Sequence, residues 1–245
     1  GELALGGTTG LVNNVTLLAG VLSGGSIPVA QVTLNTGTVS AVLTGPGALT
    51  KSAIGTLTLS GANTFEGGVT VSAGTLAAGS DTALGSGRLS VSGGAVALGT
   101  SSIANLVTLT GGTIQGGTIN VATGATVDVQ AGTISSAITG QGGLTKTGNG
   151  TATLSGTSDF GGGVTVSAGT LNVGSDTALG SGALTVNAGT VSLGTASIGN
   201  LVFLNGGTIT GGTINLATAT ALTAQAGTIS SLLAGDGSLT KSGNG

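Results

Sequence analysis

A 95-residue period constrains this sequence more than any other feature. Similar segments end in Lys51, Lys146 and Lys241, which stand 95 residues apart: GTVSAVLTGPGALTK, GTISSAITGQGGLTK and GTISSLLAGDGSLTK. Residues 51–145 and 146–240 agree without gaps at roughly two thirds of their positions. The chain is therefore predicted to consist of a partial repeat at 1–50, repeats at 51–145 and 146–240, and the start of another at 241–245.

Each long repeat contains five shorter units that average about 19 residues. Their shared pattern is apolar-x-apolar-x-small-Gly-Thr-apolar, as in VTVSAGTL at 69–76 and at 164–171. The alternation favours short strands, and the glycine permits a sharp turn with positive φ. The glycines at this place are Gly74, Gly94, Gly112, Gly132, Gly150 and Gly169. This pattern predicts an all-β fold, a parallel β-helix (solenoid) that is one continuous domain over 1–245 with five rungs per repeat.

Stacking the rungs predicts two inward columns and one outward ladder. The first inward column is Val69, Leu89, Val107, Val127, Leu144, Val164, Leu184, Val202, Leu222 and Leu239. The second is Leu76, Val96, Ile114, Ile134, Ala152, Leu171, Val191, Ile209 and Ile229. The ladder is Thr70, Ser90, Thr108, Asp128, Thr145, Thr165, Thr185, Phe203, Thr223 and Thr240. β-Branched threonine suits such a strand surface.

Composition excludes most enzyme and binding classes. The chain has 4% charged residues, a net charge of −3, and no Cys, His, Trp, Tyr or Met. A serine triad or a thiol mechanism cannot be assembled, and no nucleotide-binding motif is present, so no enzyme, cofactor or metal site is expected. Four scattered cations make no basic patch for nucleic acid. No run approaches the ~18–20 apolar residues of a membrane-spanning helix.

The lysines occupy a position that is apolar in the other rungs. We expect them to set the register, with a bulged strand that lets each lysine reach solvent at a corner. A ligand site is the alternative. Asp81 and Asp176 lie in identical GSDTALGSG segments, where each is expected to cap its own turn, a ligand contact being the alternative.

Three aromatic residues and one acid complete the candidate positions. Phe203 and Asp128 interrupt the threonine ladder and are candidate exposed contacts for a partner. Phe65 and Phe160, again 95 residues apart, are expected to pack at a corner of the coil.

The segment GGLTKTGNGTATLSG followed by GGVTVSAGTLNVGSDTALGSGALTVNAGTVSLG, at 142–194, resembles the passenger-associated transport repeat. That repeat occurs in secreted passengers of Gram-negative autotransporters and related surface proteins. A similar segment at 47–99 departs from the pattern with SAIG at 52–55 in place of TGNG. The resemblance implies a right-handed parallel β-helix, a location at the cell surface, and roles in secretion, adhesion or aggregation. It implies no catalytic residue.

These observations favour an extracellular structural or adhesive segment of a bacterial surface protein, associated with the outer membrane in the full-length protein. Its expected partners are other copies of itself, in lateral or end-to-end contact, or the surface of a host or neighbouring cell. Low charge favours self-association because like-charge repulsion is weak. The alternatives are a passive stalk that presents another domain and, from the threonine ladder, an ice-binding solenoid. We expect the sequence to be part of a longer array of repeats.

Overall fold

The computed structural model describes residues 2–4, 13–218 and 221–243. Its strands are stacked in parallel as turns of a β-solenoid, with ~19 residues between turns, which confirms the predicted fold class. No helix in the described residues is long and apolar enough to cross a membrane. Residues 1, 5–12, 219–220 and 244–245, which include parts of the predicted 1–50 and 241–245 segments, lie outside the described residues.

The chain divides into two compact units, unit 1 at residues 1–120 and unit 2 at residues 121–245. The repeat boundaries at 51, 146 and 241 stay a prediction. The strands that begin in unit 1 are β1 (Glu2–Ala4), β2 (Asn13–Leu17), β3 (Val21–Ser23), β4 (Ser26–Leu34), β5 (Gly37–Val39), β6 (Val42–Thr44), β7 (Ala48–Lys51), β8 (Thr56–Leu59), β9 (Val69–Val71), β10 (Thr75–Ala78), β11 (Leu89–Val91), β12 (Ala95–Ile103), β13 (Val107–Leu109) and β14 (Thr113–Val121).

The strands of unit 1 form two parallel sheets. One sheet has the order β1-β3-β5-β8-β10-β12-β14 and the other β2-β4-β7-β9-β11-β13, with β6 paired to β4. Successive strands of the chain thus alternate mostly between the sheets, and each strand pairs with the equivalent strand one turn later. Buried Leu and Val side chains fill the space inside each turn.

Unit 2 has the same organisation. Its strands are β15 (Thr126–Val129), β16 (Gly132–Ile134), β17 (Ala137–Gly140), β18 (Gly143–Lys146), β19 (Thr151–Leu154), β20 (Val164–Val166), β21 (Thr170–Val173), β22 (Leu184–Val186), β23 (Thr190–Ile198), β24 (Val202–Leu204), β25 (Thr208–Asn215), β26 (Ala221–Ala224), β27 (Thr228–Ala234) and β28 (Ser238–Lys241). One sheet has the order β16-β19-β21-β23-β25-β27 and the other β15-β18-β20-β22-β24-β26-β28.

The predicted first column and outward ladder are confirmed within each unit. In unit 1 Leu89 pairs with Val69 and with Val107, and all three are buried. In unit 2 the column is buried from Val127 to Leu222. Leu239 is 56% exposed because its strand β28 pairs, among the described strands, with β26 alone.

The predicted pairing in the second column was wrong at one place, in the rung that carries Lys146. Ile134 pairs with Leu154, whereas Ala152 pairs with Gly132 on one side and with Leu171 on the other. The register is therefore shifted by two residues. A two-residue shift keeps every side chain on the same face of the sheet, and both Ala152 and Leu154 remain buried.

The expectation of positive φ at the repeated glycine was wrong at Gly150. The other five such glycines have φ between 65° and 108°, but in this turn Gly148 has the positive φ, of 60°. Unit 1 has Ala53 at the place of Gly148, and there Gly55 takes the positive φ, of 94°. Alanine is strained at positive φ, so Ala53 cannot take the backbone conformation of Gly148. The turns after Lys51 and Lys146 therefore differ in backbone conformation although the two lysines are equivalent.

Candidate functional site

The lysines of the first two repeats point into the solenoid. Lys51 ends β7 and Lys146 ends β18, and both have 0% relative exposure. Lys146 pairs with Val129 and with Val166 in an uninterrupted register. The expected bulge and the expected solvated corner were therefore wrong for these two lysines. The aliphatic stem takes the place of a core valine, which sequence patterning alone did not reveal.

Burial of Lys146 is possible because its ammonium group is fully hydrogen-bonded. The Nζ atom donates to the carbonyl oxygens of Thr147 at 2.6 Å and of Gly148 at 2.8 Å, in its own turn. It also donates to Ala168 O at 3.0 Å, in the next turn. An ammonium group has three donors, so this arrangement uses all of them. The lysine therefore ties two successive turns of unit 2 together.

Lys51 and Lys241 repeat part of this arrangement. Each of the three lysines donates to the carbonyl oxygen two residues later, which belongs to Ala53, Gly148 or Gly243. Lys51 also donates to Ala73 O in the next turn, at 3.2 Å. Lys241 is exposed and donates to Gln225 O in the preceding turn, at 3.0 Å.

Burial changes the acid–base properties of the enclosed lysines. Desolvation lowers the pKa of Lys51 and of Lys146 below the ordinary value for lysine. The carboxylate of Asp128 partly opposes this shift in the pKa of Lys146. The amino groups of Lys51 and Lys146 are buried and bound to carbonyl oxygens, so a substrate cannot reach them. A structural role fits these two lysines better than a catalytic one.

A glycine of the next turn closes over each buried ammonium group. Gly74 and Gly169 have φ of 67° and 65°. A Cβ at Gly169 would lie 2.4 Å from Gly150 O and 2.7 Å from Lys146 Nζ, and a Cβ at Gly74 would lie 2.4 Å from Lys51 Nζ. Both the backbone angle and the close approach therefore require glycine here.

The two repeated aspartates bind the backbone of the following turn. Asp81 Oδ1 accepts the N–H of Ser102 at 2.8 Å, and Asp176 Oδ1 accepts the N–H of Ser197 at 2.8 Å. The prediction that each caps its own turn was wrong about the partner, because the stacked turn brings a backbone donor within reach. The prediction of a structural hydrogen bond in place of a ligand contact agrees with these bonds.

Buried amides make further contacts between turns that the sequence analysis missed. Asn63 accepts the N–H of Leu43 at 2.8 Å and donates to Ala83 O at 2.7 Å, so it joins three turns of unit 1. Asn105 donates to Gly87 O at 2.6 Å, and Asn200 donates to Gly182 O at 2.7 Å. The recurrence of Asn105 and Asn200 in SIANLV and SIGNLV was the available signal.

Equivalent polar cavities occur in the two units. The cavity in unit 1 has a volume of about 250 Å³, and the cavity in unit 2 about 390 Å³. The shared lining consists of an Asp, a Thr, a Ser and an Asn: Asp81, Thr82, Ser86 and Asn105 in unit 1, and Asp176, Thr177, Ser181 and Asn200 in unit 2. Within the described residues no group of three or more His, Cys, Asp or Glu side chains could hold a metal ion.

The candidate contact residues lie on the outward ladder of unit 2. Asp128 pairs with Thr145 and is half-buried, and its carboxylate accepts the hydroxyl of Thr147 at 2.7 Å. Phe203 pairs with Thr185 and is also half-buried. Phe160, by contrast, is fully buried beneath Gly180, and Phe65 lies in the same way beneath Gly85, as expected for corner residues.

Comparison with known proteins gives one family. The passenger-associated-transport-repeat matches residues 44–78 and 144–173, the segments that contain Lys51 and Lys146. No curated protein and no solved structure matches the chain significantly. The chain therefore carries two stretches similar to the passenger-associated-transport-repeat, on a β-solenoid fold that fits the stalk of an autotransporter passenger, and the predicted resemblance is confirmed.

Proposed function

We propose that this chain is an extracellular structural segment of a bacterial surface protein and that it self-associates through its outward threonine ladder. The observation that supports this proposal most is the in-register stacking of Thr145, Thr165 and Thr185 on parallel strands of unit 2. The repeat family implies a secreted passenger exposed at the surface, and the solenoid fold fits a stalk.

The ladder suits contact between copies because it is regular, small and almost uncharged. Its seven positions in unit 2 include one charged residue, Asp128. Half-buried threonines present a methyl and a hydroxyl group at each turn, about 4.8 Å apart. Two such faces can pack closely with weak electrostatic repulsion.

The alternative function is a passive stalk that only positions another domain. The solenoid fold supports it equally, because a stalk needs stacked turns and no contact face. The two functions differ in whether the chain binds itself, so self-association is the property to measure.

Sedimentation velocity of the full chain over a range of concentrations tests the proposal. We expect reversible association, which the double variant Thr165→Lys/Thr185→Lys abolishes because stacked ammonium groups repel across the contact. The matched control is Thr157→Lys/Thr195→Lys, which adds the same charge at exposed positions outside the ladder and should associate like the wild type.

Circular dichroism confirms that every variant is folded. A wild type that stays monomeric at all concentrations contradicts the self-association proposal and favours the passive stalk. Equal loss of association in the ladder variant and its control contradicts the assignment of the contact to the ladder.

A further inference from the structure

Two Asn-Gly pairs lie in the described part of the chain, and they differ in their hydrogen bonds. They are Asn149–Gly150, in the turn after Lys146, and Asn205–Gly206, in the turn after β24. Glycine places no Cβ between its own nitrogen and the preceding side chain, so its nitrogen can approach the asparagine Cγ closely. Such pairs are the places where a backbone nitrogen most easily attacks a side-chain amide.

The chemistry needs only water as a co-reactant. The backbone nitrogen of the glycine loses its proton to solvent and forms a bond to Cγ of the asparagine. The side-chain nitrogen takes up a proton from solvent, its bond to Cγ breaks, and ammonia leaves, so that a five-membered succinimide remains. Water then opens either carbonyl of the ring, so that the products are aspartate and its β-linked isomer.

Asn149 and Gly150 are free to react in this way. Both are exposed. Among the described residues, no hydrogen bond is found for the Asn149 side chain or for the Gly150 N–H. Neither the nucleophile nor the leaving group has to give up a protein contact before the ring can close.

Asn205 and Gly206 are held by the preceding turn of unit 2. The Gly206 N–H donates to Val186 O at 3.1 Å, and the Asn205 N–H donates to the same oxygen at 2.8 Å. The Asn205 side chain donates from Nδ2 to Asn187 Oδ1 at 2.9 Å. Attack by the Gly206 nitrogen therefore requires these bonds to break first.

We propose that Asn149 is a site of spontaneous deamidation in the folded chain and that Asn205 is protected from it. The product places a carboxylate in the turn whose carbonyl groups bind Lys146. The β-linked product also adds a methylene to the main chain between Gly148 and Gly150. Unit 1 has no such site in its lysine turn, because Ile54 stands where unit 2 has Asn149.

Peptide mapping by mass spectrometry, after incubation of the full chain in mildly alkaline buffer, measures conversion at both sites. We expect Asn149 to convert at least about tenfold faster than Asn205 in the native chain, because the hydrogen bonds of Gly206 and Asn205 must break first at the second site. A tenfold ratio corresponds to about 1.4 kcal/mol in the barrier. The same incubation in concentrated urea should bring the two rates together.

Two variants control the experiment. Asn149→Gln lengthens the side chain so that the five-membered ring cannot form, and conversion at this position should stop. Asn149→Ile copies the residue that the equivalent turn of unit 1 carries, and should also be inert. Equal native rates at the two sites, or a rate difference that persists in urea, would overturn the proposal.

Discussion

The ammonium nitrogen of Lys146 lies 3.0 Å from the carbonyl oxygen of Ala168, so a buried lysine in one turn of unit 2 is hydrogen-bonded to the next turn. The family match at residues 144–173 spans both partners of this bond. Lys146, one of three lysines in the chain, thus links two successive turns by a hydrogen bond.

Removal of this ammonium group should destabilise unit 2. Lys146→Met keeps most of the stem but leaves the carbonyl groups of Thr147, Gly148 and Ala168 without their donor. We expect a loss of about 1–2 kcal/mol in the free energy of unfolding, since relief of the desolvation cost offsets part of the lost bonding. Urea titration measures it, and the control Thr165→Val, on the outward face, should change stability by about 0.5 kcal/mol or less. Equal effects of the two variants would contradict a stabilising contribution from the hydrogen bonds of Lys146.

Stability should rise with pH in the alkaline range because of the same lysine. Its pKa is lower in the folded chain than the ordinary value of 10.5, which the unfolded chain retains. Between these two pKa values the unfolded chain binds more protons, so the free energy of unfolding increases with pH and levels off above 10.5. The difference in stability between the wild type and Lys146→Met, measured by urea titration from neutral to alkaline pH, isolates this contribution. A difference that falls as pH rises would contradict the buried position.

The glycine above the lysine should tolerate no side chain. In Gly169→Ala the new Cβ meets Gly150 O, Gly148 O and Lys146 Nζ within 2.7 Å, in addition to the strain at φ of 65°. Gly194 has a similar φ of 56° but nothing within 4 Å of a Cβ, so Gly194→Ala is a control for backbone strain alone. We expect Gly169→Ala to cost at least about 1 kcal/mol more than Gly194→Ala in thermal unfolding. Equal losses of stability in the two variants would contradict the close contact between Gly169 and the turn after Lys146.

The Asp176 carboxylate should protect one amide of the following turn. Asp176→Ala removes the acceptor of the Ser197 N–H. Hydrogen exchange of the Ser197 amide, measured by NMR, should therefore become faster. The expected loss of stability is about 0.5–1.5 kcal/mol. Asp159→Ala removes the same charge from an exposed side chain of the same cavity and should leave exchange at Ser197 unchanged. Faster exchange in both variants would point to a general charge effect.

Alternation and spacing were sufficient to predict the fold and most of the register. Val164 and Leu184 pair as the 20-residue spacing indicates, and Thr165 and Thr185 follow on the outward face. The pattern failed at Ala152, because a two-residue shift leaves the inward and outward positions unchanged. Sequence alternation cannot distinguish two registers that bury the same face.

The candidate site was harder to predict because its contacts join different turns. A lysine at a core position suggested a bulge, since an unpaired buried charge is costly. The carbonyl groups that satisfy Lys146 include one that is 22 residues away, in Ala168. The partner of Asp176 is likewise 21 residues away. Such partners become neighbours only once the stacking of turns is known.

The burial of the two lysines is the central claim, and the chain offers a direct test because it contains only three lysines. Brief treatment of the folded full chain with an amine-acylating reagent, followed by peptide mapping, measures the accessibility of each one. Lys241 is exposed and should react rapidly, whereas Lys51 and Lys146 should react only after unfolding in urea. Comparable rates at all three lysines in the folded chain would contradict the account.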